Sequence, residues 1–224
     1  MFQPIVRRLS MDRHEMQEFE VLLRTKRTNC FPKDLVDLLV ASEEGNQLFL
    51  AWFSAEMIKV LHNYPEYHFS INLHPQQLGY LSTKVFLESL QPWTDQVHFE
   101  ITERPVINPT KNFGATIDFS DHLTAMVAMG YHICFDDVDS GLNTLDLISR
   151  NVENISTLKF SIFNFRHLPQ EVLNAFIIAW RVFADHYQLR LVVEGVEEQH
   201  MSDYLYQNGI IWQQGYYWAE HIRL

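Results

Sequence analysis

The chain reads as an α/β protein built as a (β/α)8 barrel, with its first strand running against the rest. Three observations predict this. Eight short runs rich in Val, Ile and Phe recur at 2–9, 18–24, 68–74, 97–103, 131–137, 157–162, 189–195 and 209–216. Stretches with helical spacing lie between them, near 32–41, 46–63, 82–90, 115–129, 143–150, 168–187 and 198–207. The length, 224 residues, suits eight repeats around one core, more than an open doubly wound sheet usually needs.

Taken in order, the first two runs are joined only by residues 10–17. That is too short for a right-handed crossover helix, so they are expected to be antiparallel neighbours in a TIM-like barrel with one reversed strand. The third and fourth runs centre on Ile71-Asn72-Leu73 and Phe99-Glu100-Ile101. The fifth, Tyr131-His132-Ile133-Cys134-Phe135, is closed by the turn Val138-Asp139-Ser140-Gly141. The sixth holds Leu158-Lys159, the seventh Val193-Glu194-Gly195, and the eighth opens the aromatic stretch Trp212 to Trp218. The longest helix, 168–187, begins beside Pro169 and carries Val172, Leu173, Phe176, Ile177, Trp180 and Phe183 at helical spacing. No linker, composition shift or low-complexity tract divides the chain, so residues 1–224 are read as a single domain.

Apolar residues make up 47%, with 16 Phe, 9 Tyr and 5 Trp, which excludes a disordered chain. Seventeen Lys and Arg against 28 Asp and Glu leave a net charge of −11, which repels polyphosphate and argues against bulk nucleic-acid binding. A small anionic ligand would need metal ions to offset that charge. The two cysteines, Cys30 and Cys134, are too few for a disulfide framework and fit a reduced, cytoplasmic protein. No signal-like or membrane-spanning apolar stretch is present.

The apolar strands carry polar residues where a packed core would hold Val or Leu: Glu20 and Arg24, Asn72, Glu100 and Glu103, Asp136 and Asp137, Lys159, Glu194 and Glu197, and Gln214. Buried carboxylates cost several kcal/mol each unless paired, so something cationic is expected among them. In a barrel the C-terminal strand ends converge on one mouth. Carboxylates with an amide oxygen, and no matching Cys or His set, are hard ligands that select Mg2+ or Mn2+ over Zn2+. Strand alternation would put Glu20 and Arg24 on one face, a metal ligand beside a phosphate fork. Asp136 and Asp137 would point to opposite faces within a strand, but the turn after them can swing both to the mouth, where they suit a bridge between two ions. Such a set, with no Ser/His/Asp or Cys/His nucleophile, points to activated water attacking a phosphate ester. A plainer reading makes these acids strand-end caps or ion pairs and Lys159 their neutraliser, but Lys159 and Asn72 beside them favour the metal.

The segments Gln3-Pro4-Ile5, Glu20-Val21-Leu22-Leu23-Arg24, Ile71 to Leu78, Phe99 to Glu103, Phe135-Asp136-Asp137, Leu158-Lys159, Val193 to Glu197 and Gln214-Gly215-Tyr216 resemble, in order, the motifs of the EAL-domain cyclic di-GMP phosphodiesterases. The resemblance implies a stand-alone EAL domain that hydrolyses cyclic di-GMP to linear pGpG, lowering this second messenger in bacterial signalling. It implies that Glu20, Asn72, Glu100, Asp136 and Asp137 hold Mg2+ or Mn2+, two ions per site. Arg24 and Gln214 would contact substrate, Lys159 would hold the attacking water, Glu194 would be the general base, and Glu103 and Glu197 would steady the loop. A homodimer through the helices 115–129 and 143–150 is also implied.

Three positions depart from the family's pattern. Asp139 stands where Gly is usual, which restricts the backbone and is expected to add charge near the metals. Ser161 replaces a carboxylate, and His74 replaces a Ser, either to cap the turn at Pro75 or to line the pocket. They motivate a second reading, a weak or inactive EAL-like cyclic di-GMP sensor or protein-interaction module. The aromatic stretch around Gln214 is read as barrel closure rather than a base-stacking platform.

Overall fold

The computed structural model of the chain describes residues 1–106, 118–220 and 222. In chain order the elements are β1 (Phe2–Arg8), β2 (His14–Val21), α1 (Lys33–Val40), α2 (Glu43–Asn63), β3 (His68–Leu73), α3 (Leu81–Leu90), β4 (Val97–Ile101), α4 (Ser120–Ala128), β5 (His132–Phe135), α5 (Leu145–Arg150), β6 (Thr157–Ser161), α6 (Ile162–Phe165), α7 (Gln170–Tyr187), β7 (Arg190–Glu194), α8 (Gln199–Gln207) and β8 (Trp212–Gln214). The strands close in sequence order into one barrel. β1 is antiparallel to both β2 and β8, while β2 through β8 run parallel. The reversed first strand is as expected.

Boundaries moved where hydropathy is a poor guide to pairing. β2 was expected over 18–24 but runs from His14 to Val21, because the polar His14-Glu15-Met16 pairs with Val6 to Arg8 across a bulged hairpin. Its apolar tail, Leu22 and Leu23, has left the sheet. β8 shrinks from 209–216 to three residues, and the short α6 was not expected at all. The predicted helix 115–129 is observed from Ser120, and residues 115–117 lie outside the described residues.

Alternation along the strands separates two environments. Phe69, Ile71 and Leu73, Phe99 and Ile101, Ile133 and Phe135, Leu158 and Phe160, and Val193 share one buried cluster with Leu61, Phe86, Leu123, Ile177 and Leu205 of the helices. This burial, at about 25 cal/mol per Å2, holds the helical layer to the sheet. The alternate positions, including Ser70, Asn72, Glu100, Lys159 and Gln214, therefore fill the interior with polar groups. Beyond β3, buried amides fix the chain: Asn46 Nδ2 donates to Ser82 Oγ and Thr83 Oγ1 at 2.8 and 2.9 Å, and Gln77 Nε2 donates to Asn46 Oδ1 at 2.8 Å.

At the opposite end of the interior, Arg190 makes two bonds to the Glu18 carboxylate at 2.6 and 2.7 Å. His68, His98 and His132 form a row beside them, with ring centroids 6.0 and 5.2 Å apart. Burial, then the charge of Arg190 and the neighbouring His132 and His68, pushes His98 down to about 3. The unfolded chain regains the ordinary value near 6.5 and so binds more protons between these limits. The His98 contribution is thus fully present above pH 6.5 and is lost as pH falls toward 3, at up to about 1.4 kcal/mol per pH unit. Urea unfolding from pH 7 to 5 is expected to lose stability more steeply in the native chain than in His98→Gln. Parallel slopes would remove His98 from this account.

Candidate active site

Lys159 on β6 is 1% exposed, and its Nζ is the centre of the barrel mouth. It lies 2.9 Å from Glu100 Oε2, 3.2 Å from Glu20 Oε2, 3.4 Å from Asp136 Oδ1 and 3.5 Å from Glu194 Oε2. Asn72 Nδ2 donates to Glu20 Oε1 at 2.8 Å, and Gln214 Nε2 to Glu20 Oε2 at 2.6 Å. Register accounts for this convergence. Asn72 is paired with Glu100, Ser161 with Glu194, and Glu194 with Gln214, so residues far apart in sequence share one level of the barrel.

One ammonium cannot balance this many carboxylates. Burial, with Glu20 and Asp136 nearby, pushes Glu100 up to about 8 despite Lys159. Burial, Asp136 and Glu103 push Asp137 up to about 7, against Lys159 and a hydrogen bond with Ser161. Glu194 is raised well above the usual range by burial and by Asp136, Glu20 and Asp137. Glu20 goes the other way, because Lys159, Asn72 and Gln214 outweigh its burial. The reverse holds for Lys159, whose burial would lower it but whose carboxylates keep it firmly protonated.

Asp136 and Asp137 lie just past the end of β5, as the turn chemistry suggested, and oxygens of Glu103, Asp136 and Asp137 fall within 4.8 Å of one another. Glu103 thus joins the acidic group through its side chain. Its backbone carbonyl also accepts from Leu142 N–H at 2.7 Å, docking the loop on the exit of β4. Val138 N–H donates to Lys159 O at 3.0 Å, and buried Asn143 donates to the carbonyls of Ile101 and Asp136. Asp137 and Asp139 both have left-handed backbone, φ +48° and +63°. The Asp139 carboxylate does not join the acidic group. Its Oδ2 accepts from Trp180 Nε1 of α7 at 3.1 Å, so the expected added charge at the metal ligands is corrected to a contact with a helix.

Arg24 is a second correction. β2 ends at Val21, so Arg24 is not on the Glu20 strand face; its Nη1 donates to Leu23 O at 2.9 Å. It lines a cavity with Asn72, His74, Thr102 and Arg104, immediately beside the mouth. His74 does both things allowed to it: its Nδ1 accepts from Gln76 N–H at 3.0 Å, and it lines the same cavity. Burial, then Arg104, pushes it down to about 4, so it stays neutral near pH 7. Glu197 is exposed beyond β7 and takes part in none of the described contacts of this group. On the other flank, Phe163 and Tyr216 line a second cavity with Glu20 and Glu194 and are 43% and 53% exposed. The motifs did not single out Phe163 or Arg104; an aromatic after a strand carries no signal until the strand ends are known.

The group suits divalent cations. Gln214 Oε1 is buried and finds no hydrogen-bond partner among the described residues, and Asp136 Oδ1, also buried, has only the ion-pair contact with Lys159 at 3.4 Å and no hydrogen bond. Oxygen donors with no Cys or His among them are those that hard ions take.

Solved structures with the same fold include a standalone EAL protein from Vibrio cholerae, described as c-di-GMP bound. It is 20% identical with a TM-score of 0.76, covering 98% of this chain and 90% of that one. A Klebsiella pneumoniae BlrP1 complex with manganese and cy-diGMP is 22% identical with a TM-score of 0.68, covering 96% and 55%. An uncharacterized protein of Synechocystis is 28% identical over 162 residues; the match takes in 70% of this chain but about a fifth, 22%, of that protein. The EAL domain family model matches residues 1–221, nearly the whole chain, and with the motif residues gathered at one mouth the chain belongs to the EAL domain family.

Proposed function

We propose that this protein is a divalent-cation-dependent phosphodiesterase that opens cyclic di-GMP to linear pGpG, acting in the cytoplasm on this second messenger. The observation that carries the reading is the convergence of Glu20, Glu100, Asp136 and Glu194 on Lys159, with Asn72 and Gln214 filling the same level. Structures of the same fold with bound cyclic di-GMP and manganese support it. In this reading Glu20, Asn72, Glu100, Asp136 and Asp137 hold two Mg2+ or Mn2+ ions. When bound, the ions acidify water and offset the charge of the phosphate.

The chain's own groups do the rest. Arg24 and Gln214 orient the substrate, and Lys159 and Glu194 flank the attacking water. Burial keeps Glu194 raised, but once the neighbouring carboxylates are neutralised their added repulsion is relieved, and it accepts the proton from water. Attack on phosphorus in line with the 3′ oxygen breaks that P–O bond, the released oxygen takes a proton from solvent, and a 5′-phosphate remains. Glu103 acts on the loop rather than on substrate, the same role for Glu197 rests on its motif position alone, and the chain works as a homodimer through α4 and α5, where Val127 and Leu145 are exposed.

Chelation followed by restoration tests the reading. Hydrolysis of cyclic di-GMP is expected to vanish with EDTA and return with Mn2+ or Mg2+. Because Glu100 and Asp137 titrate near 8 and 7, metal binding at pH 7 is expected to release protons, seen as a buffer-dependent calorimetric heat. Ser161 beside Asp137 favours the alternative of a binding module with little turnover. Retained cyclic di-GMP affinity with no product under either metal would select it.

A further inference from the structure

We propose that Asp139 is a positioning residue that clamps the Asp136-Asp137 loop to helix α7 through the indole of Trp180. The inference rests on the metal-dependent reading above for its functional consequence, and on geometry alone for the clamp. The loop is anchored outside itself through backbone and side chains. Leu142 N–H donates to Glu103 O at 2.7 Å and Val138 N–H to Lys159 O at 3.0 Å. Asn143 Nδ2 donates to Ile101 O at 2.8 Å, and Asp137 is hydrogen-bonded with Ser161, which hold the loop to the strands. The contact that reaches helix α7 is a different one: Asp139 Oδ2 accepts from Trp180 Nε1 at 3.1 Å.

Both partners are committed to the contact. Trp180 is 4% exposed and packs edge-on against Phe183, with ring centroids 5.3 Å apart, so the indole is held in place and its N–H is best served by a fixed acceptor. Asp139 is exposed and holds φ at +63°, a conformation that L residues adopt at a cost and that Asp and Asn tolerate best. Its N–H donates to Asn143 O at 2.8 Å, and Ser140 N–H donates to Asp137 O at 3.0 Å, so the turn carrying the side chain is continuous with Asp137. Asp137 is itself left-handed, φ +48°. A glycine at 139 would relieve the strain but release the loop from α7. The Asp that looks like a defect in the motif therefore replaces backbone freedom with a fixed attachment.

Three variants test it: Asp139→Gly, which removes the acceptor and the strain together, Trp180→Phe, which removes the donor along with part of the buried ring, and Asp139→Asn, which keeps an acceptor. Hydrogen exchange of peptides spanning 136–144 in the metal-free protein reads the clamp. Manganese titration followed by electron paramagnetic resonance reads its effect on the site. Exchange at least about tenfold faster and a weaker Mn2+ site, by about threefold or more, are expected for Asp139→Gly and Trp180→Phe, near-native values for Asp139→Asn, and no further loss in the Gly/Phe double variant. Unchanged exchange in Asp139→Gly, or effects of the two changes that simply add, would overturn the clamp. If the native chain binds no Mn2+, the metal reading falls while exchange still decides the clamp. Trp180→Phe alters the core, so the exposed Asp139→Gly is decisive should it fail to fold.

Discussion

Gly141→Ala is expected to abolish hydrolysis while leaving the barrel folded. A Cβ at this position would stand 2.0 Å from the Glu103 carbonyl oxygen and 2.9 Å from its carbon, at a φ of +49°. The obstructing atoms are backbone at the exit of β4 and have no rotamer to change. The loop must lift, and the bond from Leu142 N–H to the same carbonyl goes with it. Asp136 and Asp137 leave the reach of Glu103, and a displacement of about 1 Å among reacting groups costs on the order of a hundredfold. The expected result is at least a hundredfold lower rate and weaker Mn2+ binding, with circular dichroism unchanged. Gly209→Ala is the control: it has positive φ, +79°, but its Cβ would meet only the end of Arg181 at 3.6 Å. It should lose a little stability and no activity. A Gly141→Ala enzyme within twofold of the native rate would contradict the docking of this loop as the basis of the site.

Glu194→Gln is expected to lower the rate by about 10^2 to 10^4, the usual worth of a positioned general base. The amide keeps the shape and removes the proton acceptor. Folding should not suffer. Glu194 sits among Asp136, Glu20 and Asp137, and the neutral side chain relieves their repulsion, so the metal-free thermal midpoint should hold or rise. Cyclic di-GMP affinity should persist within a few fold. A rate within tenfold of native would move the base to another group; a lowered midpoint would instead mark Glu194 as a structural partner of Lys159, 3.5 Å away.

Much of this architecture is legible in the sequence. Strand and helix alternation carried the barrel, and the short link 10–17 carried the reversed first strand, because chain reach forbids the alternative. The polar residues of the mouth were legible because a carboxylate in an apolar strand is costly and stands out, as at Glu100 and Glu194. What sequence could not supply was register and strand end. Arg24 was placed beside Glu20 by an alternation that stops at Val21. Phe163 gives no signal because it lies just past the apolar run 157–162, in the short helix α6 that begins at Ile162. Asp139 read as added charge near the metals, since nothing local reveals that the buried indole of Trp180, far along the chain, finds its acceptor there. Gly141 is legible only as a turn residue until Glu103 is brought against it.

Chromatography of cyclic di-GMP after incubation with the purified chain and Mn2+ bears most directly on the central claim. A single new nucleotide, linear pGpG, formed only with metal and absent with Glu194→Gln, is the predicted result. Intact cyclic di-GMP in every reaction, with the protein folded and the metal bound, would contradict it.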